Sequence, residues 1–372
     1  MLRRKLQQGI NVIGYLRAES GVGEVARAVV RALAHVQYPV AQVDLGPVSW
    51  TRAEASPVLD VPFGHPYGIN LLCVNADTVS AIRNQLGSRF FWGKYTIGLW
   101  HWETANFPQQ WQGAFTHVQE VWVTSGFVQR SVALQSPVPV IRVALATNAM
   151  SINYRQRKLL GLSEDTFIFF FCFDMQSYFQ RKNPYAVIKA FQLAFEGTSA
   201  SVQLVIKANN VANFPKEAAI LREALTQVGG ILLEQHTDRE TLAALFTMTD
   251  AYVSLHRSEG FGLTIAEAMH FGKPVIATAY SGNMEYMTPF NSYGVDFDLI
   301  DIAQNDGPYS TTDTWADPNL KHAASLMRFV VEHPNDAVEK GRRATQDMNL
   351  GHSSKAAADS MIQRLQVILS FK

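Results

Sequence analysis

Short apolar runs alternate with amphipathic stretches along the chain, and this alternation predicts β-strands connected by α-helices. A helix is predicted from about Glu24 to Leu33, because apolar residues recur there at helical spacing. In the first half of the chain, strands are predicted at 10–16, 40–45, 69–75, 95–100, 120–124 and 138–143.

The second half repeats the pattern. The run at 166–173 is apolar on both faces, as is typical of a central strand in a parallel sheet. The polar stretch from Asp301 to Asn319 is expected to be an irregular surface excursion. Further strands are predicted at 203–207, 231–233, 251–255 and 274–278, and helices at 218–227, 242–248, 263–272, 321–331 and 354–369.

The periodic pattern is interrupted between about Ala149 and Leu160, where the chain becomes polar and basic. We therefore predict two Rossmann-like α/β domains, one at 1–149 and one that begins at 150. A chain of 372 residues is long enough for two such domains. A hydrophobic fraction of 47% with 17% charged residues indicates a well-buried, folded protein.

Charge, cysteine usage and hydropathy narrow the class of protein. Lys plus Arg and Asp plus Glu number 32 each, so the net charge does not favour a nucleic-acid partner. Cys73 and Cys172 lie in apolar runs and are predicted to be buried free thiols. No apolar run approaches the roughly 20 residues of a membrane span. We expect a soluble cytoplasmic enzyme; the basic Arg3, Arg4 and Lys5 leave peripheral contact with a membrane open.

A glycine-containing connection follows the first predicted strand. Gly21-x-Gly23-x-x-Ala26 fits the dinucleotide-binding fingerprint, and Asp44 lies where a ribose-binding acid is expected. In that fingerprint the first glycine closes the strand directly, whereas here four or five residues intervene. We favour a phosphate-binding loop of another kind, formed by Gly21, Val22 and Gly23. A nicotinamide or flavin site and a purely structural turn remain the alternatives.

Polar residues also follow the strand that ends at Trp100. His101 and Glu103 are the first domain's best acid or base candidates, because a polar strand end followed by Asn106-Phe107-Pro108 is expected to line a cleft. The alternative is an aromatic cluster with a hydrogen-bonded His101 and a Glu103 that caps a helix.

Two adjacent cations, Arg181 and Lys182, lie between a strand and a helix of the second domain. Cationic side chains combined with the positive end of a helix dipole favour an anion site, and a solvated basic pair is the alternative. Asp296-Phe297-Asp298 has the form of a metal-binding motif, but a pattern of three residues is common by chance.

The strand at 251–255 is followed by a second loop that has the features of a ligand-binding site. Glycines let a ligand approach the backbone closely, and the following helix start presents unpaired N–H groups to an anion. Glu267 lies past the first turn of that helix. The loop and helix start consist of Glu259, Gly260, Phe261, Gly262 and Leu263.

Three consecutive motifs resemble one known family. The segments Glu259-Gly-Phe-Gly-Leu-x3-Glu267-Ala-Met, Gly272-Lys-Pro-Val-Ile-Ala-Thr278 and Ser281-Gly-Asn283 resemble the Glu-x7-Glu region of retaining glycosyltransferases with the GT-B fold, family 4, called glycosyl transferases group 1. Arg181-Lys182-Asn183-Pro184 and Ser20-Gly21-Val22-Gly23 resemble that family's basic pair and N-terminal glycine loop. Trp100-His101-Trp102-Glu103 with Phe107-Pro108 resembles a bacterial subgroup that builds cell-surface polysaccharides.

The resemblance implies a GT-B fold, in which two Rossmann-like domains face each other across a donor-binding cleft. It also implies that the second domain covers 150–353 and that the last helix, at about 354–372, packs back on the first domain. The implied reaction moves a hexose from a nucleotide diphosphate sugar to a glycan or lipid-linked acceptor with retention at the anomeric carbon. GT-B enzymes generally need no metal, and no cofactor besides the donor is implied.

Roles for individual residues follow from the same resemblance. Arg181 and Lys182 would stabilise the leaving diphosphate, with the Gly21–Gly23 loop assisting. Glu267 would accept hydrogen bonds from the ribose hydroxyls. Glu259, with the Gly260–Gly262 backbone, would hold the donor sugar. Either Glu103 or His101 would orient the acceptor, and the base pocket would be lined by Gln235, His236 and Thr237.

Other interpretations stay open. A sugar-nucleotide epimerase or a nicotinamide-dependent dehydrogenase would use a similar fold, and an inactive relative would bind a sugar nucleotide as a scaffold. The base and the sugar are not encoded in a form that we can interpret; the subgroup resemblance makes GDP-mannose the first donor to try. The acceptor is equally open.

Overall fold

The computed structural model describes residues 8–46, 62–147, 157–160 and 164–370. The chain divides into two compact units, which we call the first and the second unit. The first comprises Met1–Thr147 and Asn349–Lys372, and the second comprises Asn148–Met348. The basic residues at the N-terminus and most of the junction predicted at 149–160 lie outside the described residues.

The first unit contains a six-stranded parallel sheet, as the apolar runs predict. Its strands are β1 (Ile10–Gly14), β2 (Val40–Asp44), β3 (Ile69–Cys73), β4 (Tyr95–Leu99), β5 (Glu120–Val123) and β6 (Val140–Arg142). The spatial order is β2-β1-β3-β4-β5-β6, so the strand order reverses between β1 and β3. In such sheets ligands bind outside the carboxyl ends of the strands at the point of reversal.

In the described part of this unit, four helices connect the strands, and a 3-10 segment at Gln109–His117 precedes β5. Ser125 caps α4 by accepting a hydrogen bond from the Val128 amide. The helices are α1 (Gly21–His35), α2 (Val79–Leu86), α3 (Ser88–Phe91) and α4 (Gly126–Ala133).

The second unit also contains a six-stranded parallel sheet, in the order β12-β11-β10-β7-β8-β9. Its strands are β7 (Phe167–Asp174), β8 (Val202–Asn209), β9 (Ile231–Leu233), β10 (Ala251–Ser254), β11 (Val275–Thr278) and β12 (Tyr293–Val295). The apolar run predicted as a central strand is β7, which is buried along almost its full length. The strand order reverses between β7 and β10.

The helices of the second unit surround this sheet. They are α5 (Phe179–Lys182), α6 (Pro184–Phe195), α7 (Pro215–Gln227), α8 (Arg239–Met248), α9 (Leu263–His270), α10 (Leu320–Glu332) and α11 (Pro334–Gly351). Pro184 and Pro215 occupy the first turns of α6 and α7, where the missing amide proton costs no hydrogen bond.

The irregular excursion expected at Asp301–Asn319 is correct only for residues 302–313, because strands lie on both sides of them. Strands β13 (Phe297–Asp301) and β14 (Thr314–Pro318) form an antiparallel hairpin around these residues. Tyr309 and Trp315 are almost fully buried at 2% and 5% exposure, and they anchor the hairpin to the rest of the unit. Because the sequence between the strands is polar, its two aromatic anchors are not apparent from hydropathy alone.

The last helix, α12 (Ser354–Ser370), belongs to the first unit and packs against α1. The Arg364 guanidinium donates through Nε to both carboxylate oxygens of Glu120, at 3.0 and 3.1 Å. The Glu120 side chain is fully buried, so this ion pair links α12 to the start of β5.

Candidate functional site

The two loops at the reversal point of the second unit bring together the residues that the sequence singles out. The connection after β7 carries α5, and the connection after β10 carries Glu259. The Arg257 amide donates to the Arg181 carbonyl at 2.8 Å, and the Asn183 side chain donates to the Leu255 carbonyl at 3.0 Å. These bonds tie the two connections to each other.

Arg181, Lys182 and Glu259 form one buried charge cluster. The Arg181 Nη1 lies 3.3 Å from Glu259 Oε2, and the Lys182 ammonium donates to Glu259 Oε1. The exposed fractions of the side chains are 5% for Arg181, 15% for Lys182 and 10% for Glu259. The cluster therefore has two positive charges against one negative charge, with Lys182 its more accessible cation.

The protonation state of Glu259 follows from this cluster. Burial alone would raise the pKa of its carboxyl, but the charges of Lys182 and Arg181 lower that pKa to about 2. The carboxylate is ionised at neutral pH, so Glu259 can accept hydrogen bonds and cannot donate a proton.

Arg181 is held in place by more than its carboxylate partner. It donates to the carbonyl oxygens of Ser258 at 2.8 Å and Ser177 at 3.1 Å. The tip of the β13–β14 hairpin lies beside it: the guanidinium carbon is 6.0 Å from the centre of the Tyr309 ring, which meets the Tyr178 ring edge-on at 5.0 Å. Sequence reasoning missed Tyr309, because it belongs to a segment more than a hundred residues away.

The glycine-containing loop after β10 is shaped by the segment Ser281–Asn283. The Glu259 amide donates to Ser281 Oγ at 2.8 Å, and the Gly282 amide donates to the Glu259 carbonyl at 2.8 Å. A Cβ at Gly282 would lie 2.1 Å from the Gly260 carbonyl oxygen, so only glycine fits there. Gly262, at φ 83°, adopts the left-handed conformation that ends the loop and starts α9.

His256 is fully buried beneath this loop and fixes its other side. Its Nε2 lies 3.0 Å from Asn283 Oδ1 and 3.3 Å from the Tyr280 carbonyl, while Nδ1 lies 3.1 Å from Ser254 Oγ. Since both partners of Nε2 are acceptors, this nitrogen carries the proton, and Nδ1 accepts from the serine. Burial lowers the pKa of His256, so the ring is neutral and acts as a structural link to Asn283.

The Glu267 side chain on α9 is 10% exposed and forms an ion pair that the sequence did not predict. Arg239 Nη1, at the start of α8, donates to Glu267 Oε1 at 3.0 Å. The candidate base-pocket residues Gln235, His236 and Thr237 lie two to four positions before this arginine, and the first two are exposed. The pair therefore lies next to the loop to which the base is assigned.

The candidate acceptor residues of the first unit lie near the point where its strand order reverses. The His101 amide donates to Asn75 Oδ1 at 3.0 Å, which links the ends of β4 and β3. Burial lowers the pKa of His101 to about 4, and among the described residues its Nε2 has no hydrogen-bond partner. Desolvation raises the pKa of Asp77, and the charge of Glu103 raises it further, so these two carboxyl groups are neighbours.

The glycine connection of the first unit differs from the prediction. Gly21, Val22 and Gly23 form the first turn of α1, and are not a loop before it. Ser20 caps the helix by accepting from the Gly23 amide at 3.2 Å. A Cβ at Gly23 would lie 2.4 Å from the Ala18 carbonyl, whereas the space around Gly21 is open. The helix start thus presents an accessible backbone at Gly21.

The contacts of Asp44 test whether the first unit holds a dinucleotide cofactor. Its Oδ1 accepts from the Leu16 amide at 3.1 Å, and its Oδ2 lies 3.4 Å from Arg17. A ribose-binding acid needs its carboxylate for two sugar hydroxyls. Because this carboxylate holds the loop after β1, the geometry counts against the dehydrogenase interpretation.

Other features of the described residues concern metals and membranes. Within 8–46, 62–147, 157–160 and 164–370, His, Cys, Asp and Glu form no group of three or more that could hold a metal ion. Asp296 of the three-residue motif pairs with His322 at 3.0 Å. Cys73 and Cys172 are buried free thiols, as predicted. In the same described part of the chain, no helix is long and apolar enough to span a membrane.

Comparisons with known proteins agree with this geometry. Residues 155–297 match the sequence profile of the family described as glycosyl transferases group 1. A search of curated protein sequences found no match.

Solved structures with a similar fold cover nearly the whole chain. Sucrose-phosphate synthase from Thermosynechococcus elongatus is 17% identical, with a TM-score of 0.69 over 98% of this chain and 100% of that one. The Anabaena protein HepE, in complex with UDP and glucose, is 12% identical, with a TM-score of 0.69 over 97% and 100%. A glycosyltransferase from Rickettsia africae is 14% identical, with a TM-score of 0.65 over 97% of each chain.

At these identities the structural likeness establishes the fold, and the profile match relates residues 155–297 of the second unit to glycosyltransferases. The profile covers α5, the glycine-containing loop and α9, which hold the charge cluster and Glu267. Residues 155–297 form a glycosyl transferases group 1 domain, and the chain is a glycosyltransferase with the GT-B fold of two Rossmann-like α/β domains.

Proposed function

We propose that the chain is a retaining glycosyltransferase that moves a hexose from a nucleotide diphosphate sugar to a glycan or lipid-linked acceptor, without a metal ion. The observation that carries the proposal is the charge cluster of Arg181, Lys182 and Glu259 at the reversal point of the second sheet. This cluster supplies the two kinds of group that such a donor needs, cations for the diphosphate and an acceptor for sugar hydroxyls.

Departure of a nucleoside diphosphate develops negative charge on the phosphate oxygens, and preorganised cations stabilise that charge in the transition state. Lys182 is the cation that we assign to the phosphate, since it is more exposed than Arg181. Arg181 is anchored by two backbone carbonyls and serves to raise the local positive potential. The amides at the start of α9 add hydrogen-bond donors beside them.

Glu259 is assigned to the hydroxyl groups of the donor sugar. Its carboxylate is ionised, with a pKa of about 2, and is held by both cations. A carboxylate in that state is a strong hydrogen-bond acceptor but a weakened nucleophile. We therefore assign retention to attack on the same face of the sugar as departure, with the leaving phosphate accepting the proton of the acceptor hydroxyl.

Glu267 is assigned to the two ribose hydroxyls of the donor. Two carboxylate oxygens suit a vicinal diol, because each oxygen accepts one hydroxyl hydrogen. Arg239 holds one of these oxygens at 3.0 Å and keeps the carboxylate charged and oriented. The base would then lie toward Gln235, His236 and Thr237, which precede Arg239 in the chain.

The acceptor is assigned to the first unit, where His101 and Glu103 follow β4. With a pKa of about 4, His101 is neutral at physiological pH, and we assign it to the orientation of an acceptor hydroxyl. Glu103 lies near Asp77, so the carboxyl groups here can orient several hydroxyls of a sugar. Polysaccharide biosynthesis at the cytoplasmic face of a membrane is the setting that we propose.

The donor base is the least constrained part of the proposal. HepE is described in complex with UDP-glucose, which makes a uridine diphosphate sugar the first candidate from the structural comparison. The polysaccharide subgroup resemblance makes GDP-mannose the second. The loop at 235–237 does not decide between them.

The experiment that tests the proposal measures release of nucleoside diphosphate from a panel of UDP-, GDP- and ADP-sugars, with and without EDTA. We expect one donor to turn over, EDTA to have no effect, and proton NMR of the product to show the anomeric configuration of the donor retained. Inversion would refute the mechanism, and loss of activity in EDTA would refute metal independence. Tight binding of NAD with no binding of nucleoside diphosphates would instead support the dehydrogenase alternative.

A further inference from the structure

A cavity of about 410 Å³ is lined by residues of α6 and by Asn183, which follows Lys182 of the charge cluster in the chain. Its walls come from the end of α7 and from the junction of β14 with α10. The volume is within the range of small-molecule sites, which hold ligands of roughly 300–1,000 Å³. Neither Lys182 nor Glu259 lines it, so an occupant would not share the donor's contacts.

The lining of the cavity combines apolar residues with amide side chains. Ala186, Ala224 and Pro318 contribute apolar surface, whereas Gln192 and Gln227 are accessible amides. An amide side chain offers donors and an acceptor side by side, and a sugar hydroxyl is likewise both donor and acceptor. The C–H faces of a sugar ring would pack against the apolar residues of the lining.

The charges around the cavity leave little attraction for an anion. Arg257 Nη2 pairs with Asp317 Oδ1 at 3.2 Å, and its Nη1 donates to the Gln180 carbonyl at 2.9 Å. The remaining cation of the lining, Lys189, is exposed and donates to Gln192 Oε1 at 3.1 Å. A phosphate or a nucleotide is held best by cations shielded from water, such as Arg181 and Lys182 at 5% and 15% exposure, whereas the charge of Lys189 is screened by solvent.

We propose that this cavity is a second saccharide site, which binds a neutral mono- or disaccharide unit of a glycan separately from the donor. The class of ligand rests on the glycosyltransferase function, but the site itself rests on its lining. Arg257 connects the two sites, because its side chain lines the cavity while its amide donates to the Arg181 carbonyl. A glycan held here would keep the enzyme attached to its polymer between transfers.

The test is saturation-transfer-difference NMR of the full chain with cellobiose, maltose and α-1,2-mannobiose, each with and without saturating UDP and GDP. Ala224→Trp fills the cavity, and Glu223→Trp places the same ring on the neighbouring exposed position of α7 as a matched control. Gln192→Ala with Gln227→Ala serves as a second variant in case the tryptophan disturbs folding. We expect at least one disaccharide to bind to the wild type and to Glu223→Trp, with affinity roughly tenfold or more lower in the cavity variants.

Each outcome decides the proposal. Binding that persists with either nucleotide and is lost only in the cavity variants supports it. Competition by UDP or GDP, or loss of binding in Glu259→Ala, would assign the saccharide to the donor site and overturn it. Absence of binding by all three disaccharides would overturn it as well, and sulfate binding that Ala224→Trp abolishes would show an anion site instead. None of these readouts depends on transfer activity, so failure of the proposed reaction would be distinguishable.

Discussion

Arg239 and Glu267 form an ion pair across 3.0 Å, with the glutamate side chain 10% and the arginine side chain 34% exposed. The glutamate is on α9 and the arginine is at the first residue of α8, 28 positions earlier. A nucleotide that uses Glu267 for its ribose thus meets a carboxylate that is already charged and oriented. Arg239 is a positioning residue in this account.

The first prediction concerns this pair. Arg239→Ala is expected to weaken nucleoside diphosphate binding roughly tenfold, because the carboxylate loses a charged hydrogen bond that orients it. Glu267→Ala is expected to weaken binding more, and the double variant no further than Glu267→Ala alone. Isothermal titration of the four proteins forms a double-mutant cycle that isolates the coupling. Additive losses would mean that Arg239 contacts the nucleotide independently of Glu267.

The second prediction concerns the accessible cation. Lys182→Ala is expected to reduce kcat by roughly 10²–10³-fold, because charge stabilisation at the leaving group is lost in the transition state. The KM for the donor is expected to change less. The exposed Lys216→Ala on α7 is the control for loss of a lysine and should leave kcat unchanged. A higher KM for the donor with an unaltered kcat would assign Lys182 to ground-state binding only.

The third prediction concerns stability. Glu259→Ala leaves Arg181, which is 5% exposed, without its carboxylate partner, and unpaired buried charges are costly. The free energy of unfolding should fall by about 3 kcal/mol in urea titrations followed by circular dichroism. Adding Arg181→Met to Glu259→Ala should recover part of this loss. If Glu259→Ala leaves the urea midpoint of unfolding unchanged, the cluster is solvated and its charges are screened.

The fourth prediction concerns pH. Burial lowers the pKa of His101 from 6.5 to about 4, so between these values the unfolded chain binds a proton that the folded chain does not. Stability from this group is therefore complete above pH 6.5 and is lost as the pH falls toward 4, with a slope of up to about 1.4 kcal/mol per pH unit.

Unfolding titrations of wild type and His101→Gln across this range measure that slope. The variant should lose part of the pH dependence, whereas His35→Gln, at an exposed position of α1, should retain it. Identical slopes in wild type and His101→Gln would mean that the imidazole is hydrated in the folded state.

The fifth prediction concerns the β13–β14 hairpin. Tyr309→Leu removes the ring that lies 6.0 Å from the Arg181 guanidinium, and a cation–π contact of this kind contributes about 0.5–1 kcal/mol. The KM for the donor should rise about threefold. Tyr309→Phe keeps the ring and should retain the KM of the wild type. If both variants match the wild type, the hairpin packs on the donor site without influencing it.

Most strands of the two sheets were predictable from the sequence because they are local apolar runs, whereas β12 (Tyr293–Val295) was missed because its three residues are too short a run to recognise. The run around Phe170 needs no partner to be recognised as a central strand, and parallel strands demand the helices between them. The motif with Arg181 follows β7 and the motif with Glu259 follows β10. Because both strands are parallel and end at the same edge of the sheet, the placement of these two residues could be predicted from the order of the elements along the chain.

Helix boundaries were harder where small residues dominate. Helix α11 escaped prediction because its buried face is made of residues such as Ala337, Gly341 and Ala344, which leave no apolar stripe. A Cβ at Gly341 would lie 2.0 Å from the Gly272 carbonyl, so small size is what this contact requires. The start of α1 was misplaced for a related reason, since two glycines are poor helix formers.

The partners of the candidate site residues could not be predicted, because they come from distant parts of the chain. Arg239 and Tyr309 have no motif of their own, and only the tertiary structure brings them to Glu267 and Arg181. The ionised state of Glu259 could not be predicted from the sequence either, because it depends on two cations more than seventy residues away.

A crystal structure with the unhydrolysed donor, or with its nucleoside diphosphate, tests the central claim most directly. We predict that both ribose hydroxyls lie within hydrogen-bond distance of the Glu267 carboxylate and that the phosphates contact Lys182 and the start of α9. A nucleotide bound elsewhere, or with its ribose away from Glu267, would contradict the assignment of the donor site to this face of the second unit.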